Sequence, residues 1–131
     1  MSCFGWYDIT ISIKAESEQQ AEDITKQFNN LDIKCRDIFI RRSGANPLTL
    51  YLERDLGEYY NSTDHELDTL AKWIHTQGYV IDGCIFAEIE NEHLRGEFHD
   101  GKVQWESIEW LVYYSNEQIR EIRKYATEHF K

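Results

Sequence analysis

Proline, cysteine and long apolar runs are scarce in this chain. One proline and seven glycines among 131 residues leave no linker or low-complexity tract, which predicts a single domain over residues 1–131. No stretch of about 18 apolar residues occurs, so no membrane-spanning helix is predicted. Cys3, Cys35 and Cys84 are odd in number and widely spaced, so they fit neither a disulfide framework nor a CxxC metal site. The N-terminal segment also lacks a signal-peptide pattern, and we therefore expect a cytoplasmic protein.

Basic residues are outnumbered by acidic ones. The chain carries 14 Lys and Arg against 24 Asp and Glu, a net charge of -10. Direct binding to nucleic acid or to an anionic membrane is disfavoured, because both need Lys and Arg to neutralise phosphates. The balance fits a basic protein partner, and it equally fits an acidic surface that only keeps the protein soluble.

Catalytic and cofactor motifs are also missing. The chain has no Gly-x-Ser-x-Gly elbow, no glycine-rich nucleotide loop and no Cys next to a His in sequence. We therefore predict no catalytic residue and no cofactor, although an active site assembled from distant residues stays open. His93, Glu97 and His99 share one side of a predicted strand, but the two histidines are too far apart along it to reach one ion. No metal site is predicted.

Periodicity and capping residues indicate the secondary structure of the first 90 residues. Apolar residues alternate with polar ones from Tyr7 to Lys14, the period of a half-buried strand. Ser17 and Gln20 have capping-box spacing before a helical apolar stripe, and Thr63 and Glu66 repeat it before a second helix that Gly78 ends. The other predicted elements are strands at 36–42, 48–54 and 79–90, a helix at 18–29 and a connection at 56–61.

The order strand, helix, strand, strand, helix, strand is that of a ferredoxin-like sandwich. Two further strands, at 93–99 and 102–114, flank Asp100-Gly101, a dipeptide favoured in tight hairpins. A last helix is predicted from Ser115 to the C-terminus. The predicted fold class is α+β: a ferredoxin-like βαββαβ core extended by a C-terminal antiparallel hairpin and a final helix.

Acidic residues concentrate in the predicted sheet of the second half, where only Arg95 and Lys102 oppose them. One hypothesis is a docking face for a basic protein, and the alternative is a solvated outer face. Aromatic residues interleave with these acids and are typical of interfaces, although rings also pack in cores. These aromatics are Trp105, Trp110, Tyr113 and Tyr114, with Trp6, Tyr7, Tyr51, Tyr59 and Tyr60 elsewhere. The predicted partner-binding acids are Asp82, Glu88, Glu90, Glu92, Glu97, Asp100, Glu106 and Glu109.

A smaller basic patch lies earlier in the chain. Arg41, Arg42 and Ser43 could hold an anion through guanidinium groups and turn amides, or they could form a solvated hairpin end.

The sequence predicts a small acidic intracellular binding protein that inhibits or regulates a basic partner, including one that itself binds nucleic acid. Phage anti-defence and toxin-immunity proteins share this profile of size and charge. The alternative is a small-molecule or anion-binding sensor domain, followed by an enzyme with a spatially assembled site. A homo-oligomer is compatible with the sequence, but not through the acidic face, because like charges repel there.

Overall fold

The computed structural model describes residues 5–32 and 37–108, together with Glu117, Arg120, Glu121 and Lys124. Those four residues are helical, whereas most of the predicted C-terminal helix lies outside the described residues. The elements of the two main ranges are strands β1 (Gly5–Lys14), β2 (Phe39–Arg42), β3 (Thr49–Tyr59), β4 (Val80–Ile89), β5 (Glu92–His99) and β6 (Lys102–Ser107), with helices α1 (Glu18–Asn29) and α2 (Asn61–Gln77).

The described strands form one sheet in the order β2-β3-β1-β4-β5-β6, and each described pair is antiparallel. The predicted α+β class with an antiparallel sheet is confirmed. The sheet is wider than that of a four-stranded ferredoxin-like sandwich, because β5 and β6 continue it beyond β4. Neither α1 nor α2 is long and apolar enough to cross a bilayer.

The core lies between the two helices and one side of the sheet. Alternate residues of β1, from Tyr7 to Ile13, are buried and join a cluster with residues of both helices. Burial of such side chains is the main favourable term in folding. Because both helices contribute to this cluster, they cover the same side of the sheet. Their buried members are Ala21, Ile24 and Phe28 of α1 and Leu67, Leu70, Trp73 and Ile74 of α2.

Gln27 joins the two helices through polar contacts at the edge of the core. Its Oε1 accepts hydrogen bonds from Trp73 Nε1 at 3.0 Å and from Tyr79 Oη at 2.7 Å. The Trp73 ring also lies 6.3 Å from the Phe28 ring and 5.8 Å from the Tyr79 ring. One amide oxygen therefore satisfies two aromatic donors that would otherwise lose hydrogen bonds on burial.

Two tight turns build the extension of the sheet. Glu90 and Asn91 connect β4 to β5 with φ values of 52° and 67°, and Asp100 and Gly101 connect β5 to β6 with φ values of 50° and 81°. Positive φ at both central positions is the geometry that matches the right-handed twist of hairpin strands. The hairpin predicted at Asp100-Gly101 is confirmed.

Two predicted boundaries around Tyr60 were wrong. The segment 56–61 was predicted as a connection, but β3 continues to Tyr59 and stays paired with β1 across a register irregularity between the pairs Tyr7–Gly57 and Ile9–Arg54. The second helix begins at Asn61, two residues before Thr63. Thr63 occupies the first turn, where its Oγ1 accepts a hydrogen bond from the Tyr60 N–H at 3.1 Å. Residues 36 and 109–114 of the predicted strands lie outside the described residues.

Candidate docking face

One side of the sheet is covered by neither α1 nor α2. Residues paired across antiparallel strands share a side of the sheet, so the burial of Tyr7 and Ile9 puts their neighbour Asp8 on the other side. We call that side the open face. Its described residues are Phe39, Arg41, Thr49, Tyr51, Glu53, Glu58, Trp6, Asp8, Thr10, Ser12, Lys14, Val80, Asp82, Cys84, Phe86, Glu88, His93, Arg95, Glu97, His99, Lys102, Gln104 and Glu106.

The eight predicted partner-binding acids divide between several places. The four that lie on the open face are Asp82, Glu88, Glu97 and Glu106.

The other acids of the set do not join them. Glu90 and Asp100 are in the turns at opposite ends of β5. Glu92 pairs with Ile89 and therefore lies on the helix-covered side, although it is exposed. Glu109 lies outside the described residues.

The open face also carries three acids that the prediction missed. Asp8, Glu53 and Glu58 come from β1 and β3, and strand pairing puts them on the same side of the sheet as Asp82 and Glu88 of β4. No local pattern marks them, since they are far from residues 82–109 in sequence. With Lys14, Arg41, Arg95 and Lys102 as cations, the seven acids leave the described open face with a net charge of −3.

Arg95 lowers the negative charge on the β5 and β6 part of this face. Its Nη1 lies 2.5 Å from Glu97 Oε1 and 3.9 Å from Glu106 Oε1. Arg41 similarly forms a bidentate pair with Glu53, with both N–O distances at 2.8 Å. The negative charge of the predicted acidic face is thus partly neutralised on β2, β3, β5 and β6.

Cys84 lies on the open face near Arg95. Partial burial raises the pKa of its thiol, and the nearby carboxylates of Glu97 and Asp82 act in the same direction. The Arg95 guanidinium opposes this change by favouring the thiolate. The thiol therefore lacks the lowered pKa of a reactive nucleophile.

Two aromatic side chains on the open face are half exposed. Trp6 is 49% exposed and Phe86 is 47% exposed. In the ladders Trp6 lies between Glu58 of β3 and Glu88 of β4, while Phe86 is paired with Asp8. Exposed aromatic rings are enriched at protein interfaces, whereas carboxylates are equally common on a solvated sheet face.

Most of the other predicted aromatics are elsewhere. Trp105 lies on the helix-covered side, with its ring 6.4 Å from that of buried Tyr59. Tyr51 shares the open face, but the Arg41 guanidinium stacks over its ring at 4.7 Å. Trp110, Tyr113 and Tyr114 lie outside the described residues.

The residues of the predicted anion site point in different directions. Arg41 is on the open face and pairs with Glu53, whereas Arg42 is on the helix-covered side and pairs with Glu18 of α1. Ser43 Oγ accepts a hydrogen bond from the Asn46 N–H at 3.1 Å, which stabilises the turn. An anion bound there would have to compete with both carboxylates, and the site stays a prediction.

The candidate metal-binding histidines lie at opposite ends of β5. His93 Nε2 is 3.8 Å from Glu88 Oε2, and His99 Nε2 is 3.1 Å from Asp100 Oδ2. Over the part of the chain that the structure describes, no three His, Cys, Asp or Glu side chains are grouped so that they could hold a metal ion.

No known family model, curated protein or solved structure matches this chain. Its function is therefore inferred from the open face.

Proposed function

We propose that this protein is a small acidic binding domain that docks its open face on a basic surface of another protein and thereby inhibits or regulates it. The observation that carries the proposal is the combination, on the sheet face that neither described helix covers, of seven carboxylates with the half-exposed rings of Trp6 and Phe86. Carboxylates alone would suit a solvated face, whereas exposed rings gain free energy only when a partner covers them.

The open face is large enough for a specific complex. Six strands about 4.8 Å apart and up to about 33 Å long cover roughly 800 Å². That matches the area of about 800 Å² that each partner buries in an interface of standard size.

The fold provides a rigid base for this face. We propose that β2-β3-β1-β4 with α1 and α2 form a ferredoxin-like core, and that the β5–β6 hairpin widens its free side. Trp6, Phe86 and Glu88 then lie on the two adjacent strands β1 and β4, which are the third and fourth strands of the described sheet. A docking site on central strands needs little ordering when it binds, which favours affinity.

The charge indicates the class of partner. An acidic face excludes direct contact with nucleic acid, but it complements a protein surface that itself binds nucleic acid. By covering such a surface the domain would block its normal ligand. We propose a cytoplasmic role of this kind, as in phage anti-defence or toxin-immunity proteins.

The test compares two variants of equal net charge as baits that capture binding proteins. The face variant neutralises Asp82, Glu88, Glu97 and Glu106 as Asn or Gln. The control variant neutralises four exposed carboxylates outside the open face, namely Glu16, Glu22, Asp32 and Asp68.

We expect a basic protein that wild type and the control variant both retain at about 0.05 M salt, that the face variant loses, and that about 0.5 M salt releases. Equal retention by the two variants would place the contact elsewhere and contradict the proposal. Retention that resists high salt in the face variant would contradict it as well.

A further inference from the structure

A small cavity opens beside Trp6 on the open face. Its volume is ≈ 180 Å³. The side chains that contribute to its lining include those of Trp6, Asp8, Phe86, Glu88 and His93. Pockets for drug-sized ligands are larger, at roughly 300–1,000 Å³. The cavity therefore suits the end of one side chain rather than a free metabolite.

The chemistry of the lining is that of a cation receptor. The electron-rich faces of Trp6 and Phe86 attract a cation. Asp8 and Glu88 add two carboxylates, and Glu58 flanks Trp6 on its other side. His93 Nε2 lies 3.8 Å from Glu88, which leaves much of that carboxylate's capacity to accept hydrogen bonds.

We propose that this cavity, the Trp6–Phe86 notch, receives an arginine side chain of the basic partner. The inference rests on the proposed function and names the contact at its centre. The planar guanidinium stacks on the indole of Trp6 and donates hydrogen bonds to Glu88, whose side chain lines the cavity. Lysine fits less well, since its ammonium is a point charge that neither stacks nor donates in a planar fork.

The position of the notch agrees with its role. Binding free energy concentrates in a few central contacts, often between an aromatic residue and an arginine, and the surrounding residues exclude water. The notch lies between β1 and β4, which are central strands of the described sheet. By contrast, Phe39 is equally exposed, at 51%, but lies on β2, at one end of the described sheet.

The experiment titrates the 15N-labelled full chain with tri-arginine amide and, separately, with tri-citrulline amide, which keeps the shape but lacks the charge. The readout is the indole N–H resonance of Trp6, assigned with the Trp6→Phe variant. Two serine variants are then compared through backbone amide shifts of β1 and β4. Phe86→Ser removes one ring of the notch, and Phe39→Ser is a control that removes an equally exposed ring elsewhere on the same face.

We expect a saturable shift of the Trp6 indole with tri-arginine and none with tri-citrulline. Phe86→Ser should weaken binding about tenfold, while Phe39→Ser should leave it unchanged. Tri-arginine shifts confined to β5 and β6 would overturn the notch and leave the proposed docking face standing. An equal response to tri-citrulline, or no shift on the open face, would also overturn the notch, whereas the bait variants test the docking face independently.

Discussion

Glu88 lies directly opposite Trp6 in the β1–β4 ladder, on the side of the sheet that neither described helix covers. Glu58 is paired with Trp6 from the other neighbouring strand. A half-exposed indole thus has a carboxylate on each side. If this sheet face contacted only water, a polar residue at position 6 would occupy the strand equally well and would expose less apolar surface than a tryptophan. This relationship is the physical basis of the proposed docking face.

Replacing Gln27 with Leu tests the polar link between the helices. The change keeps the volume but removes the acceptor of Trp73 Nε1 and Tyr79 Oη. Because two partly buried donors lose their acceptor, we expect the free energy of unfolding to fall by about 1–3 kcal/mol. Denaturant titration measures it. Gln19→Leu on the same helix is the control, since Gln19 is exposed and should change stability by less than about 0.5 kcal/mol. If both changes lowered the free energy of unfolding equally, the hydrogen bonds of Gln27 would contribute nothing to stability.

Gly83→Ala tests the packing of β4 on β1. Gly83 has a φ of 110°, and an added Cβ would lie 2.2 Å from the Thr10 carbonyl oxygen. Both strain and overlap must be relieved by moving backbone, so we expect a loss of at least about 2 kcal/mol of stability. Gly44→Ala is the matched control, because a Cβ there meets no atom within 4 Å. A thermal melt of both variants checks the prediction, which fails if Gly83→Ala melts with wild type.

The reactivity of Cys84 should report its neighbours on the open face. Burial raises the pKa of the thiol from the ordinary value of 9.0, so near pH 8 it carries less thiolate than a free cysteine. In a variant with Cys3 and Cys35 replaced by Ser, we expect alkylation by iodoacetamide to be slower than that of a model thiol.

Two further substitutions should change the alkylation rate of Cys84 in opposite directions. Arg95→Gln removes the cation that favours the thiolate, so the pKa of Cys84 should rise further and alkylation should slow. Glu97→Gln removes a carboxylate that opposes the thiolate, so alkylation should accelerate. An unchanged or faster reaction in Arg95→Gln would contradict the proposed effect of the guanidinium on the thiol.

Local signals predicted most of the fold. The alternation of Ile9 and Ile11 with polar neighbours is visible within one strand. The start of α1 follows from Ser17, whose Oγ accepts the Gln20 N–H at 3.1 Å. The turn at Asp100-Gly101 was equally predictable, since few residues adopt positive φ without strain.

The end of β3 was not predictable from local signals. The segment after Arg54 is polar and contains Gly57, which suggests a connection. Pairing with β1 nevertheless keeps Gly57 opposite Tyr7 and Tyr59 opposite Gly5. Tertiary pairing with a strand some fifty residues away overrides local propensity there.

The candidate site was predictable only in part. Alternation predicted that Asp82 and Glu88 share a side of β4, and the ladder agrees. The sequence could not show that Glu58 comes to lie beside Trp6, because that contact depends on the register of β1 against β3. Nor could it show that Arg95 pairs with Glu106 across the hairpin and reduces the acidic charge.

Hydroxyl-radical footprinting of the complex with the retained basic protein tests the central claim most directly. Trp6 and Phe86 are half exposed in the free chain and should be oxidised readily, whereas in the complex we expect both to be protected. His75, which is exposed on α2, should be oxidised equally in both states. Protection of His75 with unchanged oxidation of Trp6 and Phe86 would place the partner on the helices and contradict the account.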